Sequence, residues 1–423
     1  MRSTTPVSYT ALVRTNANFR NLWFGEIVSL FGDWFNFIAS ATLIATLTGS
    51  GVAVGGLFVV RHLAPFLISP IAGVIADRYN RRTLLILCDV TRFFIVLGFL
   101  TIRDPADVWL LYVLTAIQLA IGAVFFTTRR AILPDIVGEA EIGTANAITS
   151  ATWSTMLAIG AAAGGLVSGA FGVYTAFAID AATFVVSALI VVRVRYTVPP
   201  DVEQTGTTSI WRLHEQYLEG LSYVYRHPDI LATALVKPAL MLTLSAGYEV
   251  VQVRIAESVF PIGVGAGITL GLLYGMSGLG SGLGPIGARA FTGDRVKALR
   301  RAIGLGFAIG AIGLFIISTL HSFPVVLVGG LLRSLGGGIV WVFTTQLLLQ
   351  LAPTRVRGRV FSFEQAGFSL AAALSAMAGG QILDRYPDVS TIVLGFGFLT
   401  LVPGVVWSAR YWFRPVTDSS GET

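Results

Sequence analysis

Continuous apolar runs about twenty residues long, separated by short polar punctuation, recur from residue 20 to residue 412. A helix crosses a hydrocarbon core of about 30 Å with about 20 residues, so each run is long enough to span a bilayer. Twelve spans are predicted, over 20–47, 54–76, 83–102, 108–128, 146–170, 174–193, 230–256, 264–288, 299–320, 324–350, 359–383 and 390–412. The runs are continuous and rich in Leu, Ala, Gly and Phe rather than alternating, which makes them helices and not barrel strands. The predicted fold class is an all-α membrane protein whose twelve helices form two six-helix bundles.

The division into bundles comes from the longest polar break, residues 194–229. It separates an N-terminal bundle over 20–193 from a C-terminal bundle over 230–412, with polar segments at 1–19 and 413–423. From Thr208 onward Ile210, Leu213, Tyr217, Leu221 and Val224 recur at three and four residues, which predicts an amphipathic helix lying along the membrane surface. The halves repeat one another in order. "FTT" at 126–128 returns at 343–345, "AGG" at 163–165 returns at 378–380, and Pro70 with Asp77 has a counterpart in Pro285 with Asp294. Landmarks in one order at offsets of 215 and 217 residues describe a duplicated six-helix unit, the architecture of alternating access.

Composition agrees: hydrophobic residues make up 54% of the chain and charged residues 12%, at a mean hydropathy of +0.75. The formal charge of +6 raises a nucleic-acid reading, which the positions of the basic residues exclude. With the N-terminus inside, Arg78, Arg81, Arg82, Arg129, Arg130, Arg193, Arg195, Arg289, Arg295, Lys297, Arg300, Arg301 and Arg410 all fall on the cytoplasmic side, and only Arg103 and Arg385 fall outside. That asymmetry predicts cytoplasmic termini and a multi-pass protein of the plasma membrane. The first twenty residues are polar and the first apolar run carries Glu26 and Asp33, so no cleavable signal is expected. Cys88 stands alone, which leaves no internal disulfide and no multi-cysteine metal site.

One stretch concentrates charge. "GVIADRYNRR" at 73–82 holds one Asp and three Arg between the second and third spans. It resembles the signature of the major facilitator superfamily, on Gly73, Asp77, Arg78, Asn80, Arg81 and Arg82. Asn80 stands where that family has a second Gly, and Asn is the next best residue for the left-handed backbone expected of a tight loop. The resemblance implies the major facilitator fold and makes the loop a gating latch that stabilises one orientation of a transporter. It sharpens toward the macrolide and siderophore exporters in "NFRNLWFGEIVSLFGDWF" at 18–35, "RRAILPDIVGEAEIGTANAI" at 129–148 and "RVRGRVFSF" at 355–363. "IGAAAGGLVSG" at 159–169 departs from the superfamily's antiporters, which carry a Gly-Pro pair in the fifth span, but its small residues still allow close helix packing.

Ionisable residues inside a bilayer are functional candidates by default. Asp33 lies 13 residues beyond Arg20, roughly 20 Å into the membrane, and Arg61 lies 15 residues before Ala76, at roughly the same depth. A pairing of Asp33 with Arg61 is expected, with Asp33 as the proton-coupling site, because a carboxylate that loses its cation or is desolvated takes up a proton. Asp180 is the second proton-carrier candidate. Glu26 sits lower, near the depth of Asp89 and Arg92, and reads as gate or scaffold with them. In the second half Arg333 lies deep enough to need a partner or an anionic ligand, and Glu364 is expected to face the latch loop; Lys237, Glu249 and Arg254 complete the set. Trp34, Phe37, Trp153 and Trp341 are the candidate lining of an apolar substrate cavity.

Energy sources other than an ion gradient find no motif. Both lysines, Lys237 and Lys297, follow Val, so no nucleotide-binding loop with its Gly-Lys pair exists. "GLGSGLG" at 278–284 follows no strand and reads as close helix packing. No cofactor, metal or hydrolase motif is found, and no enzyme is expected. The reading is a monomeric secondary transporter that exports small amphipathic molecules in exchange for protons or another coupling ion. A lipid or lysolipid flippase on the same fold, and a transporter-like sensor or assembly partner that moves nothing, are the alternatives.

Overall fold

The structure, a computed structural model, describes residues 8–138, 141–196, 222–386 and 388–411. Among them there is no strand. A short α1 (Tyr9–Thr15) leads into α2 (Ala17–Thr48), α3 (Gly51–Arg78), α4 (Arg81–Phe99), α5 (Val108–Ile136), α6 (Ile142–Phe171) and α7 (Val173–Val191). After the linker come α8 (Pro228–Val259), α9 (Gly267–Thr292), α10 (Val296–Ser318), α11 (Phe323–Leu351), α12 (Thr354–Arg385) and α13 (Val389–Tyr411). Each predicted run lies on one of the long helices α2 to α13, and eleven of these are long and apolar enough to cross a membrane. The remaining one, α4, carries Arg81, Arg82, Asp89 and Arg92 within its nineteen residues.

Local chemistry sets the helix ends. Asn16, Ser50 and Asn80 each turn a side-chain oxygen back to accept from a backbone N–H of the first turn, from Phe19, Ala53 and Thr83, and Gly49 ends α2 in the left-handed region at φ 61°. Asn80 therefore overturns its expected role. Its φ is −57° and its side chain caps α4, a hydrogen bond that a glycine cannot make. A second difference is α5, which the apolar run ends at 128 but which continues to Ile136 through Arg129 and Arg130. Ile132, Leu133 and Ile136 keep the helical spacing and are buried against Leu12, Phe19 and Leu85, so the core carries the helix past the arginines.

The chain divides into two compact units. One holds the N-terminal half together with Gln252–Gly278, and the other holds the rest of the C-terminal half. Of the predicted amphipathic stripe, Ile210, Leu213, Tyr217 and Leu221 lie outside the described residues, as does the tail from 412; Val224 is buried with Ile230, Leu348 and Val360. In the first unit the start of α4 ties to α5, and in the second the turn after α9 ties to α11. Arg81 donates to the Ala131 carbonyl at 3.1 Å and to Asp135 at 2.6 Å. Gln346 and Gln350, 215 residues further on, donate to the side chain and carbonyl of Asp294 at 2.5 and 3.1 Å.

Glycines let backbones touch where the sequence predicts close packing. In the first unit α6 meets the start of α9: a Cβ on Gly165 would stand 2.4 Å from Gly271 Cα, and one on Gly278 would stand 2.5 Å from the Ala158 nitrogen. In the second unit Gly280 and Gly284 fit against the carbonyls of Leu331 and Leu335 on α11. These contacts are backbone to backbone, so a side chain has no rotamer with which to escape. Gly165→Val is expected to lower stability by about 1–3 kcal/mol through overpacking, whereas Gly282→Ala, with nothing within 4 Å, leaves it unchanged. Thermal melting of the purified protein in detergent reads both.

Candidate functional site

Polar residues on α2 recur at three and four: Glu26, Ser29, Asp33, Asn36 and Ser40. That spacing draws one polar stripe up a helix that is otherwise apolar. Asp180, Thr183 and Ser187 draw a second on α7, Thr115 and Gln118 contribute from α5, and Asp89 and Arg92 from α4. The stripes converge inside the first unit. All these side chains are buried except that of Asp33, which is 26% exposed.

Arg92 holds the centre. Its guanidinium lies 2.5 Å from Asp89, donates to Ser29 Oγ at 3.2 Å, reaches Asp33 at 3.6 Å, and is sandwiched between the rings of Phe125 and Phe184 at 4.5 and 4.3 Å. Ser187 donates to the other oxygen of Asp89 at 2.7 Å. One cation thus serves two carboxylates, tightly for Asp89 and loosely for Asp33. Desolvating such a set is worthwhile only because the partners satisfy one another.

The expected pairing is therefore corrected: the guanidinium in ion-pair contact with Asp33 is that of Arg92, from α4. Arg61 lies with its guanidinium carbon 4.1 Å from the ring centre of Phe37, and its charge still acts on Asp33. Depth fixes only one coordinate of a residue, and the side of α2 on which Asp33 lies faces α4 and α7. Glu26 is corrected likewise. It makes its ion pair with Arg129, which also donates to Thr149 at 3.4 Å, because α5 runs on far enough to bring Arg129 inside.

Asp180 is fully buried. Gln118 donates to its Oδ2 at 3.5 Å, and its Oδ1 has no hydrogen-bond partner. Of the aromatic candidates, Phe37 packs on Phe58 and Tyr274 with ring centres 5.8 and 4.9 Å away, and Trp34 lies 5.7 Å from Phe37, while Trp153 and Trp341 are exposed at 51% and 37%. Over residues 73–82 Asp77 and Arg78 are exposed, Arg81 links Asp77 at 3.7 Å to Asp135, Arg82 donates to the Val192 carbonyl, and a Cβ on Gly73 would touch nothing.

The second unit has its own buried pair. Lys237 Nζ is 3.1 Å from Glu364 and 4.5 Å from the ring centre of Trp341, so Glu364 has its cation within its own unit. Arg333 finds its partners within the protein: the Leu244 carbonyl at 3.0 Å, in a π turn of α8, Ser334 at 3.1 Å, and the ring of Tyr248. At an offset of 215 residues Tyr248 stands where the first half has Asp33, and Arg333 where it has Gln118. The sequence reading passed over Gln118, Ser29, Ser187 and Asn36. Their signal was the lone amide in the apolar run 108–128 and the helical spacing of the small polar residues.

Comparison with known proteins adds the lineage. The Major Facilitator Superfamily profile matches residues 22–376 and 260–422. The chain is 25% identical over 407 residues to the MFS-type transporter YfiS of Bacillus subtilis, covering 93% of each, and 24% identical over 404 residues to the enterobactin exporter EntS of Salmonella typhimurium, covering 92% of each. Its fold is similar to that of the nucleoside transporter NupG, at a TM-score of 0.71 with 13% identity over 94% of this chain and all of that one. The protein is a multi-pass transporter of the cell membrane, and the exporter branch that its motifs resemble is represented among its relatives. A superfamily match along nearly the whole length shows that the chain belongs to the Major Facilitator Superfamily.

Proposed function

We propose that this transporter exports small amphipathic molecules by alternating access, driven by exchange for protons, with twelve spans and both termini in the cytoplasm. The observation that carries the coupling is the asymmetric hold on Arg92, 2.5 Å from a buried Asp89 and 3.6 Å from a partly exposed Asp33. A proton arriving at Asp33 neutralises it without stranding the guanidinium, which keeps Asp89 and Ser29. Among the carboxylates of this cluster Asp33 is the one whose side chain keeps accessible surface, so proton exchange is assigned to it. Asp33 is accordingly assigned the coupling role, and Arg92 acts as its counter-ion.

The aromatic side chains support an amphipathic cargo. Trp34 and Phe37 lie within about a turn of Asp33, and apolar and aromatic surface accommodates bulky molecules without a fixed hydrogen-bonding pattern. The direction of transport rests on the exporter EntS among the relatives. Efflux of a panel of fluorescent amphiphilic dyes from pump-deficient cells tests the reading. Cells expressing the chain are expected to retain less dye than vector controls, and a protonophore is expected to abolish the difference. Efflux that ignores the protonophore, or no efflux of any dye, contradicts it and leaves lipid flipping or a non-transporting role.

A further inference from the structure

Asp33 and Asp180 enter the sequence reading as rival proton carriers. Their surroundings place them in one constellation. Asp180 Oδ1 packs against the backbone of Gly32, the residue before Asp33: a Cβ on Gly32 would stand 2.5 Å from that oxygen and 2.0 Å from Thr183 Oγ1. The amide of Gln118 donates to Asp180 Oδ2 at 3.5 Å. Asn36, one turn above Asp33, has its oxygen engaged by Ser40 at 3.2 Å, and its buried Nδ2, like Asp180 Oδ1, has no hydrogen-bond partner.

The charges around the pair come from few elements. Asp33 and Asp180 face Arg92 and Asp89 of α4 and Gln118 of α5, and Arg61 of α3 acts on Asp33. The helix α6, which also packs on α2 and α7, has no charged residue within Ile142–Phe171. Arg92 is shared between Asp33 and Asp89, so within ion-pair distance the described side chains give Asp180 no cation of its own. A carboxyl group in that position requires a positive partner from elsewhere.

We propose that Asp33 and Asp180 are one proton-sharing pair, held in register by the missing side chain of Gly32 and by Gln118 as positioning residue. The proton enters at Asp33, the partly exposed member, and passes to the buried Asp180. In that step the O–H bond on Asp33 breaks and one forms on Asp180, so the pair's charge is conserved while Asp33 regains its attraction to Arg92. Asp33 then reports to Arg92 and Asp180 stores the proton. This inference rests on the proton-exchange reading above and adds the second carboxyl and the positioning amide to it.

The test is infrared difference spectroscopy of the protonated-carboxyl band during a pH titration of the purified full chain, which needs no substrate. Two coupled carboxyls titrate in steps that belong to the pair. Asp33→Asn and Asp180→Asn are each expected to remove one step and to move the remaining one by about one pH unit or more. Gln118→Leu is expected to move both steps while removing neither, and Gly32→Ala to do the same with no polar group altered. A spectrum in which either Asn variant leaves the other step where it was, or in which Gln118→Leu leaves both, overturns the pair. In that event protonophore-sensitive dye efflux that is lost in Asp33→Asn still upholds the exchange reading with Asp33 alone, whereas coupled titration without protonophore-sensitive efflux upholds the pair and rejects that reading.

Discussion

Asp33→Asn is expected to reduce protonophore-sensitive dye efflux to the level of the vector control while the protein still folds. Asn has nearly the shape of Asp and no charge to give up. Its loss leaves Arg92 paired to Asp89 at 2.5 Å and bonded to Ser29, so no buried cation is stranded. The contact removed is long, at 3.6 Å, and Asp33 is its partly exposed member, so its loss costs less than that of the short, buried Arg92–Asp89 pair. A near-normal melting temperature together with absent coupled efflux is the expected combination. Wild-type efflux in the variant removes Asp33 from the coupling role.

Arg92→Met has the opposite profile, a large loss of stability. Asp89 is fully buried, and without the guanidinium it keeps only the hydroxyl of Ser187. Removing one partner of a buried ion pair costs about 3–5 kcal/mol, because the charge left behind has neither water nor a cation. The Phe125 and Phe184 rings that sandwich Arg92 lose a cation contact at the same time. Adding Asp89→Asn removes the orphaned charge and is expected to restore more than half of the loss. The yield of monodisperse protein and its thermal melting in detergent report both variants. A single Arg92→Met variant that melts with the wild type contradicts the central place given to this residue.

How far the site was legible follows from what a helix pattern encodes. Apolar runs located every long helix because burial in lipid constrains all sides of a span at once. The stripe of Glu26, Ser29, Asp33 and Asn36 was equally present in the sequence, since the spacing that aligns residues on a face is local. Partner choice was not. Counting residues placed Asp33 and Arg61 at one depth, but rotation about the helix axis and the long reach of an arginine decide which guanidinium arrives, and here it is Arg92. The charge of Arg129 ends the apolar run at 128, yet Ile132, Leu133 and Ile136 behind it carry the helix on and draw it inside to Glu26. Asn80 reads in the sequence as a substitute for glycine, whereas its side chain caps α4. The glycines of α6 and α9 read correctly as contact residues, because close backbone approach is something their size alone permits.

Exchange is measured directly as proton movement driven by substrate. Purified protein in proteoliposomes holding a trapped pH indicator is given a gradient of a transported dye with no pH gradient imposed. Dye moving down its gradient is expected to drive protons the opposite way, and Asp33→Asn is expected to end this proton flux. Dye that crosses the membrane with no accompanying proton movement contradicts exchange.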